Sequence, residues 1–306
     1  MNNPYNLYPL HVFRVVALFG SVTQAAQELC ISQPAVSFHI KSLEIFYHET
    51  LFDRTPRGMF LTPAGIVVSE QANRVFALLN EIPSTIETTR SEVKGDVTLA
   101  SSSTPAAYLV PPLLRRFQDL YPYARPKLIV GDSKEAISWL HDYKAHIGVV
   151  GETLIAESLI SEEIGRDELR LVAAGSDSFT NEVEITGKSL SGRTLFLREK
   201  GSSTRAGAEE MLCGMLKEFK QVVELKSTET IKRMTAAGLG VAVLSSWTTE
   251  LEEKAHLLSP VQDTRFRKER PFYIVRRKDR PFTGILAALW QSLTEKSVSS
   301  ASGESG

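Results

Sequence analysis

Four short polar runs in this chain of 306 residues combine hydroxyls and small residues in a way that suits small anions. They are "SSST" (Ser101 to Thr104), "DS" (Asp132, Ser133), "GSSTR" (Gly201 to Arg205) and "STET" (Ser227 to Thr230). Each follows an apolar, strand-like stretch and precedes a helical pattern. Hydroxyls and free N–H groups at helix starts attract anions, and in open α/β sheets ligands gather beyond the carboxyl ends of strands. Ser and Thr also cap helices without any ligand, so for each residue capping and anion binding both stand as readings.

A second set lies in "SQPAVSFHIKSLE", Ser32 to Glu44. As a helix it puts Val36, Ile40, Leu43 and Tyr47 on one apolar face. Ser32, Gln33, Pro34, Ala35, Ser37, Phe38 and Lys41 lie on or around the other face. Gln can pair bidentately with adenine, Ser can meet base edges or phosphate, and Ala or Phe can meet a thymine methyl. Phe38 has two readings: a base contact, or packing under a neighbouring helix or a second copy.

Other chemistries find little footing. There is no G-x-S-x-G elbow, no phosphate loop ending in Gly-Lys-Ser/Thr and no His pair at helical metal spacing. No catalytic residue, metal or cofactor is therefore expected, and His141 and His146 read as a surface and a packing residue. Cys30 and Cys213 are the only cysteines and sit far apart in sequence, which suits a reducing compartment. With no leader pattern and no spanning segment, a cytoplasmic location and no membrane partner are expected. The formal net charge of −1 implies no strongly basic or acidic partner.

The elements that must position these residues can be read from periodicity and caps. Leu10, Phe13 and Ala17 form a helical stripe ended by Gly20. Ser21 with Gln24 starts a second helix, and Ser32 with Pro34 in the first turn starts a third after a tight turn. That is a helix-turn-helix layout, whose second helix can enter the major groove. "LFDRTPRGMFL" reads as a hairpin wing with Arg57 at its tip as a minor-groove or phosphate contact. Arg54 is either a contact or an internal support. Through Leu61 the four Lys/Arg are matched by four Asp/Glu, so one copy has a weak electrostatic grip on DNA. Helix dipoles and binding by several copies are expected to compensate.

Thr62-Pro63 then opens a helix in which Val68, Ala72, Val75, Leu79, Ile82 and Ile86 recur in steps of four and three. This seam suits pairing with a second copy, or the packing of an ordinary amphipathic helix on its own domain. Pro83 predicts a kink or early end, and "EVKGD" (Glu92 to Asp96) a hinge. From Val97 strands and helices alternate, which implies an α/β unit with a mostly parallel sheet. Two similar lobes with a cleft between them follow, the chain crossing near Arg166 and returning near Arg265.

Together "SVTQAAQELCISQPAVSFHIKSLE", "LFDRTPRGMFLTPAG", "YLVPPLLRRF", "LREKGSSTR" and "AAGLGVAVLS" resemble a LysR-type transcriptional regulator over nearly the whole chain, in order. The resemblance implies an all-α winged helix-turn-helix (1–61), a linker and dimerisation helix (62–92) and a two-lobed α/β effector domain like a periplasmic binding protein (93–296). Lobe 1 would be about 97–166 with 266–296, lobe 2 about 167–265, and 297–306 a disordered tail. It also implies a two-fold operator in double-stranded DNA, a homodimer or homotetramer, RNA polymerase as a candidate partner, and a small effector in the cleft. By matching position, Ser102, Ser103, Thr104 and Ser133 would line the first lobe, and Thr204 and Thr228 the second. Phe38 departs from the Arg, Lys or other polar residue often found there. Gly151 departs from the hydroxyl that anion-sensing relatives can supply, which weakens a sulfate-type assignment. "LREKGSSTR" is similar to the branch that regulates carbon fixation or sulfur-anion metabolism. A thiol-sensing regulator is the alternative within the family; an enzyme or a plain solute-binding module is the alternative outside it.

Overall fold

The structure is a computed structural model that describes residues 6–56, 58–87, 93–151, 156–282 and 284–295. The chain divides into two compact units, Met1–Pro83 and Ser84–Gly306.

In the first unit, short-range caps set three helices: α1 (Leu7–Phe19), α2 (Val22–Glu28) and α3 (Gln33–Tyr47). Ser21 Oγ accepts from the Gln24 N–H and Ser32 Oγ from the Ala35 N–H, both at 3.3 Å. Each thereby satisfies one of the orphan donors that every helix N-terminus carries. Gly20 ends α1 at φ +63°. Val12, Phe13 and Val16 of α1, Ala25 and Ala26 of α2, and Val36, Ile40 and Leu43 of α3 make the core. The predicted apolar face of α3 stops one turn short: Tyr47 is 41% exposed, because the helix outruns the core that it packs on. A hairpin of β1 (Phe52–Thr55) and β2 (Gly58–Leu61) follows, paired Phe52↔Leu61 and Thr55↔Gly58.

Helix α4 (Pro63–Glu87) is held at its start by Thr62. The Thr62 hydroxyl donates to the Thr50 carbonyl at 2.6 Å and accepts from the Gly65 N–H at 3.0 Å. A Cβ on Gly65 would stand 2.0 Å from the Leu51 carbonyl oxygen, so the first turn of α4 lies directly on the chain entering β1. Along the predicted seam, Val68 packs on the core of its own unit and Ala72 is 1% exposed, whereas Leu79 and Ile82 are 38% and 50% exposed. The N-terminal half of the seam is therefore ordinary intramolecular packing, and only its later half is open. The helix runs through Pro83 to Glu87. One lost backbone bond does not end a helix of this length, so the predicted early stop does not occur.

The second unit is a nine-stranded mixed sheet in the order β4-β3-β5-β11-β6-β9-β7-β8, with β10 on β6. Lobe 1 contributes β3 (Gly95–Ser102), β4 (Ala124–Gly131) and β5 (Ile147–Gly151), all parallel. They are joined through α5 (Ser103–Tyr108), α6 (Val110–Leu120) and α7 (Ser133–His141). The long β6 (Leu159–Ala174) then passes into lobe 2. There α8 (Gly187–Leu190), β7 (Thr194–Arg198), α9 (Ser203–Leu212), β8 (Gln221–Leu225), α10 (Thr228–Ala236), β9 (Val241–Ser245), α11 (Ser246–Lys254) and β10 (Leu258–Pro260) follow. The strand β11 (Arg267–Arg277) returns beside β6, antiparallel to it, and α12 (Gly284–Thr294) closes lobe 1.

One expectation changes in this unit. The "EVKGD" hinge is partly occupied: Val93 packs on the lobe 1 core, and Gly95 and Asp96 already belong to β3. The crossing near Arg166 is carried by the single long strand β6, whose polar stretch Ser161 to Glu163 lies exposed between buried residues. Glu92 and the 297–306 tail lie outside the described residues.

Candidate functional site

On α3 the structure separates two faces. Ser32, Gln33, Pro34 and Lys41 are exposed, Ala35 and Ser37 half-buried, and Phe38 is 66% exposed. Phe38 borders a shallow groove with Leu7, Pro9 and Leu10 of α1 rather than lying buried beneath it, and its ring meets the neighbouring His39 edge-on, at 5.7 Å. Ile45 and Phe46 continue the exposed apolar surface toward the end of the helix. Ser32 is already committed to capping, which leaves its hydroxyl proton for an outside acceptor. Arg54 is exposed on β1, and Arg57 lies outside the described residues.

The hydroxyl-rich runs collect where β3, β4 and β7 end. Ser102 and Gly131 are register partners at the carboxyl ends of adjacent parallel strands, and Ser133 follows two residues later. Both hydroxyls are buried, at 5% and 1% residue exposure, and neither Oγ has a hydrogen-bond partner among the described residues. Ser102 occupies the cap position of α5 without capping it, and Asp132 takes that role for α7 in a reciprocal box with Glu135. Of the two readings, Asp132, Ser202 and Ser227 act as caps, whereas Ser102 and Ser133 do not. A buried polar atom left unpaired is costly and rare in native structures.

Across from them stands Arg198, the last residue of β7, 4% exposed. Its Nη1 donates to Ser103 Oγ of lobe 1 at 2.9 Å and to Thr228 Oγ1 of lobe 2 at 2.8 Å. Its Nε and Nη2 donate to the two carboxylate oxygens of Glu199, each at 2.8 Å. Thr104 is buried beside Ser103. The lobes also approach closely elsewhere. A Cβ on Gly201, where φ is +104°, would lie 2.6 Å from Asp132 Oδ2, and one on Gly151 would lie 2.2 Å from Ser203 Oγ. Trp247 of α11 packs against Phe272 of the lobe 1 core, the rings tilted and their centroids 5.2 Å apart.

Thr204 differs from the other proposed cleft residues, because its Oγ1 accepts from Arg270 Nη1 at 2.9 Å. Arg270 and Asp167 are register partners on β11 and β6, 1% and 4% exposed as residues. Arg270 Nε and Nη2 donate to Asp167 Oδ2 at 2.9 and 2.7 Å, and Ser245 Oγ donates to Asp167 Oδ1 at 2.8 Å. This fully buried pair ties the starts of α9 and α11 to the crossing strands.

Sequence reading missed Arg198, Glu199, Asp167 and Arg270. Arg198 had a signal: it continues the buried strand "TLFL" with a charge immediately before a polar run. Arg270 and Asp167 had none, since their pairing depends on the register of strands about a hundred residues apart in sequence.

Comparison with known proteins gives a consistent result. The family model of the LysR substrate binding domain matches residues 90–297, and that of the bacterial regulatory helix-turn-helix protein, lysR family, matches residues 7–66. The HTH-type transcriptional regulator CysL of Bacillus subtilis (strain 168) is 30% identical over 77% of this chain and 79% of its own. The HTH-type transcriptional regulator CbbR of Sinorhizobium medicae (strain WSM419) is 30% identical over 94% of this chain and 91% of its own. Full-length CbnR, solved in a complex with its target DNA, shares the fold with a TM-score of 0.65 at 22% identity, over 95% of this chain and 99% of that one.

Proposed function

The chain belongs to the family of LysR-type DNA-binding transcriptional regulators, and from that premise we propose which of its surfaces read DNA and which sense a ligand. The exposed face of α3, with Gln33, Pro34, Ala35, Ser37, Phe38 and Lys41, reads the major groove from a start capped by Ser32. Arg57 on the wing supplies a backbone or minor-groove contact. Two or four copies bind a two-fold site together, using the open half of the α4 seam, because one formally neutral head holds phosphate weakly. No cofactor is needed for either task.

The ligand is a small anion in the inter-lobe cleft, contacted by Ser102, Ser103, Thr104, Ser133 and Thr228. Thr204 supports the second wall through Arg270 rather than touching the ligand. The observation that carries this reading is the pair of buried, unpartnered hydroxyls of Ser102, at the end of β3, and Ser133, at the start of α7, beside the place where Arg198 bridges the two lobes. A thiol-sensing role has less support, since Cys30 and Cys213 are both exposed and lie in separate units.

A thermal-shift screen of the full chain tests the proposal, with sulfate, phosphate, sugar phosphates, carboxylates and neutral or aromatic compounds. A ligand that binds only the folded state raises the Tm by mass action. An anion that raises it, with the rise lost in Ser102→Ala and Ser133→Ala, supports the cleft as an anion sensor. A rise from neutral compounds alone rejects it and leaves the DNA-reading assignment standing.

A further inference from the structure

The Arg198 guanidinium is divided between two kinds of partner. One side is neutralised by its chain neighbour Glu199 through Nε and Nη2, and Glu199 is itself only 8% exposed. The remaining nitrogen, Nη1, bonds two neutral hydroxyls, Ser103 Oγ and Thr228 Oγ1. Those hydroxyls accept from Arg198 and keep their own protons to donate. The unpartnered Ser102 Oγ is the chain neighbour of Ser103, and Ser133 lies at the end of the adjoining strand. An oxyanion at this point would meet several hydroxyl donors and, by displacing Ser103 or Thr228 from Nη1, a guanidinium N–H. It would also meet the field of a carboxylate bound to the other side of the same cation.

A buried Arg without a carboxylate partner would hold any phosphate or sulfate, since charge-assisted bonds in a dry site are strong. Glu199 removes that indiscriminate attraction. We propose that Glu199 is an internal competitor, which holds the Arg198 anion site in a low-affinity form so that only a ligand with contacts beyond a bare oxyanion is retained. This rests on the cleft being the ligand site. It assigns Arg198 as the anchor of the ligand's negative charge and Glu199 as the residue that sets the threshold.

The test is calorimetric titration of the full chain with inorganic phosphate at fixed ionic strength, comparing the natural protein with Glu199→Gln. Glutamine keeps an acceptor for Arg198 but removes the competing charge. Phosphate should bind the variant about tenfold more tightly, the size of one screened charge–charge contribution. Adding Arg198→Met to Glu199→Gln should abolish the gain. If Glu199 merely orients Arg198, Glu199→Gln binds phosphate equally or more weakly, and the proposal is overturned. A gain that survives in the double variant overturns it too, because the charge would then act elsewhere. Should Glu199→Gln fold poorly, Glu199→Asp, which withdraws the carboxylate by one methylene, must give a smaller gain of the same sign. If the thermal-shift screen finds an anion that depends on Ser102 and Ser133 while Glu199→Gln gains nothing, the cleft reading stands and this one falls.

Discussion

Helix α3 leaves Phe38, Ile45 and Phe46 in solvent at 66%, 63% and 53% exposure, whereas the second unit buries Arg198, Glu199 and Arg270 at 4%, 8% and 1%. Apolar groups outside and charged groups inside both reverse the usual preference. Each inversion is compensated differently. The buried charges are paired within the chain, through Glu199 and Asp167. The exposed aromatics of α3 touch neighbouring rings of their own helix, Phe38 on His39 and Phe46 on Tyr47, but keep more than half of their surface in solvent. Changes on α3 should therefore alter function with little effect on stability, and changes around the cleft should alter both.

The strongest challenge to that contrast is Arg270→Met. It strands the Asp167 carboxylate, which is 0% exposed as a side chain, and should cost about 3–5 kcal/mol. Chemical denaturation of the full chain would show it; a loss under 1 kcal/mol would mean that the pair is not what joins α9 and α11 to the crossing strands. Gly151→Ser comes next, since its Cβ would press within 2.9 Å of Ser203 Cβ. Overpacking there should cost about 1–3 kcal/mol and weaken the anion response. A Tm equal to that of the natural chain would show that the lobes do not need this close approach.

Acid provides a third test that acts on the sensor alone, small within the first pH unit below 6.5 and growing to rival the Arg270→Met loss toward pH 3. His146 Nδ1 accepts from the Thr98 N–H at 3.0 Å, and burial, with help from the Arg280 charge, pushes the imidazole down to about 3. The unfolded chain binds this proton near pH 6.5 and the folded chain only near pH 3. The stabilisation is thus complete above pH 6.5 and fades by about 1.4 kcal/mol per pH unit as acid is added toward pH 3. His146→Gln, which can still accept from Thr98, should flatten the pH dependence of urea unfolding; an unchanged slope would refute a neutral buried His146. The smallest effect is expected for Phe38→Ala, which should change stability by no more than about 0.5 kcal/mol. Its operator affinity should nevertheless fall without a change in salt slope. An unfolding penalty above 1 kcal/mol would place Phe38 in an intramolecular contact after all.

What could be read from the sequence follows from the range of the interactions involved. The caps at Ser21 and Ser32 bond three residues ahead, so composition and spacing expose them, and the helix-turn-helix with them. Alternating apolar runs likewise reveal the strand-and-helix order of the second unit. Tyr47 misled because periodicity shows which side of a helix is apolar, not where its core ends. Ser102 and Ser202 look alike in sequence, yet one caps nothing and the other bonds the Thr204 N–H at 3.2 Å, a difference set by backbone placement. Arg198 and Glu199 are chain neighbours at the end of a strand pattern, yet the reach of Arg198 to Ser103 and Thr228 and the Asp167–Arg270 pair depend on contacts between distant segments, which local pattern does not carry. Arg57, the wing residue expected at the DNA, lies outside the described residues.

The antiparallel ladder between β6 and β11 runs from Arg170↔Arg267 to Leu159↔Arg277, with its one register shift at Phe272/Tyr273. The two lobes are therefore not joined by slack chain. They are opposite ends of one hydrogen-bonded ribbon, and any relative motion must twist that ribbon. A twisted ribbon stores elastic energy and returns it, so the sensor should behave as a torsion spring, with Phe272/Tyr273 its most compliant point. A change in the angle between the lobes would then be read in the twist of this ribbon before any loop moved.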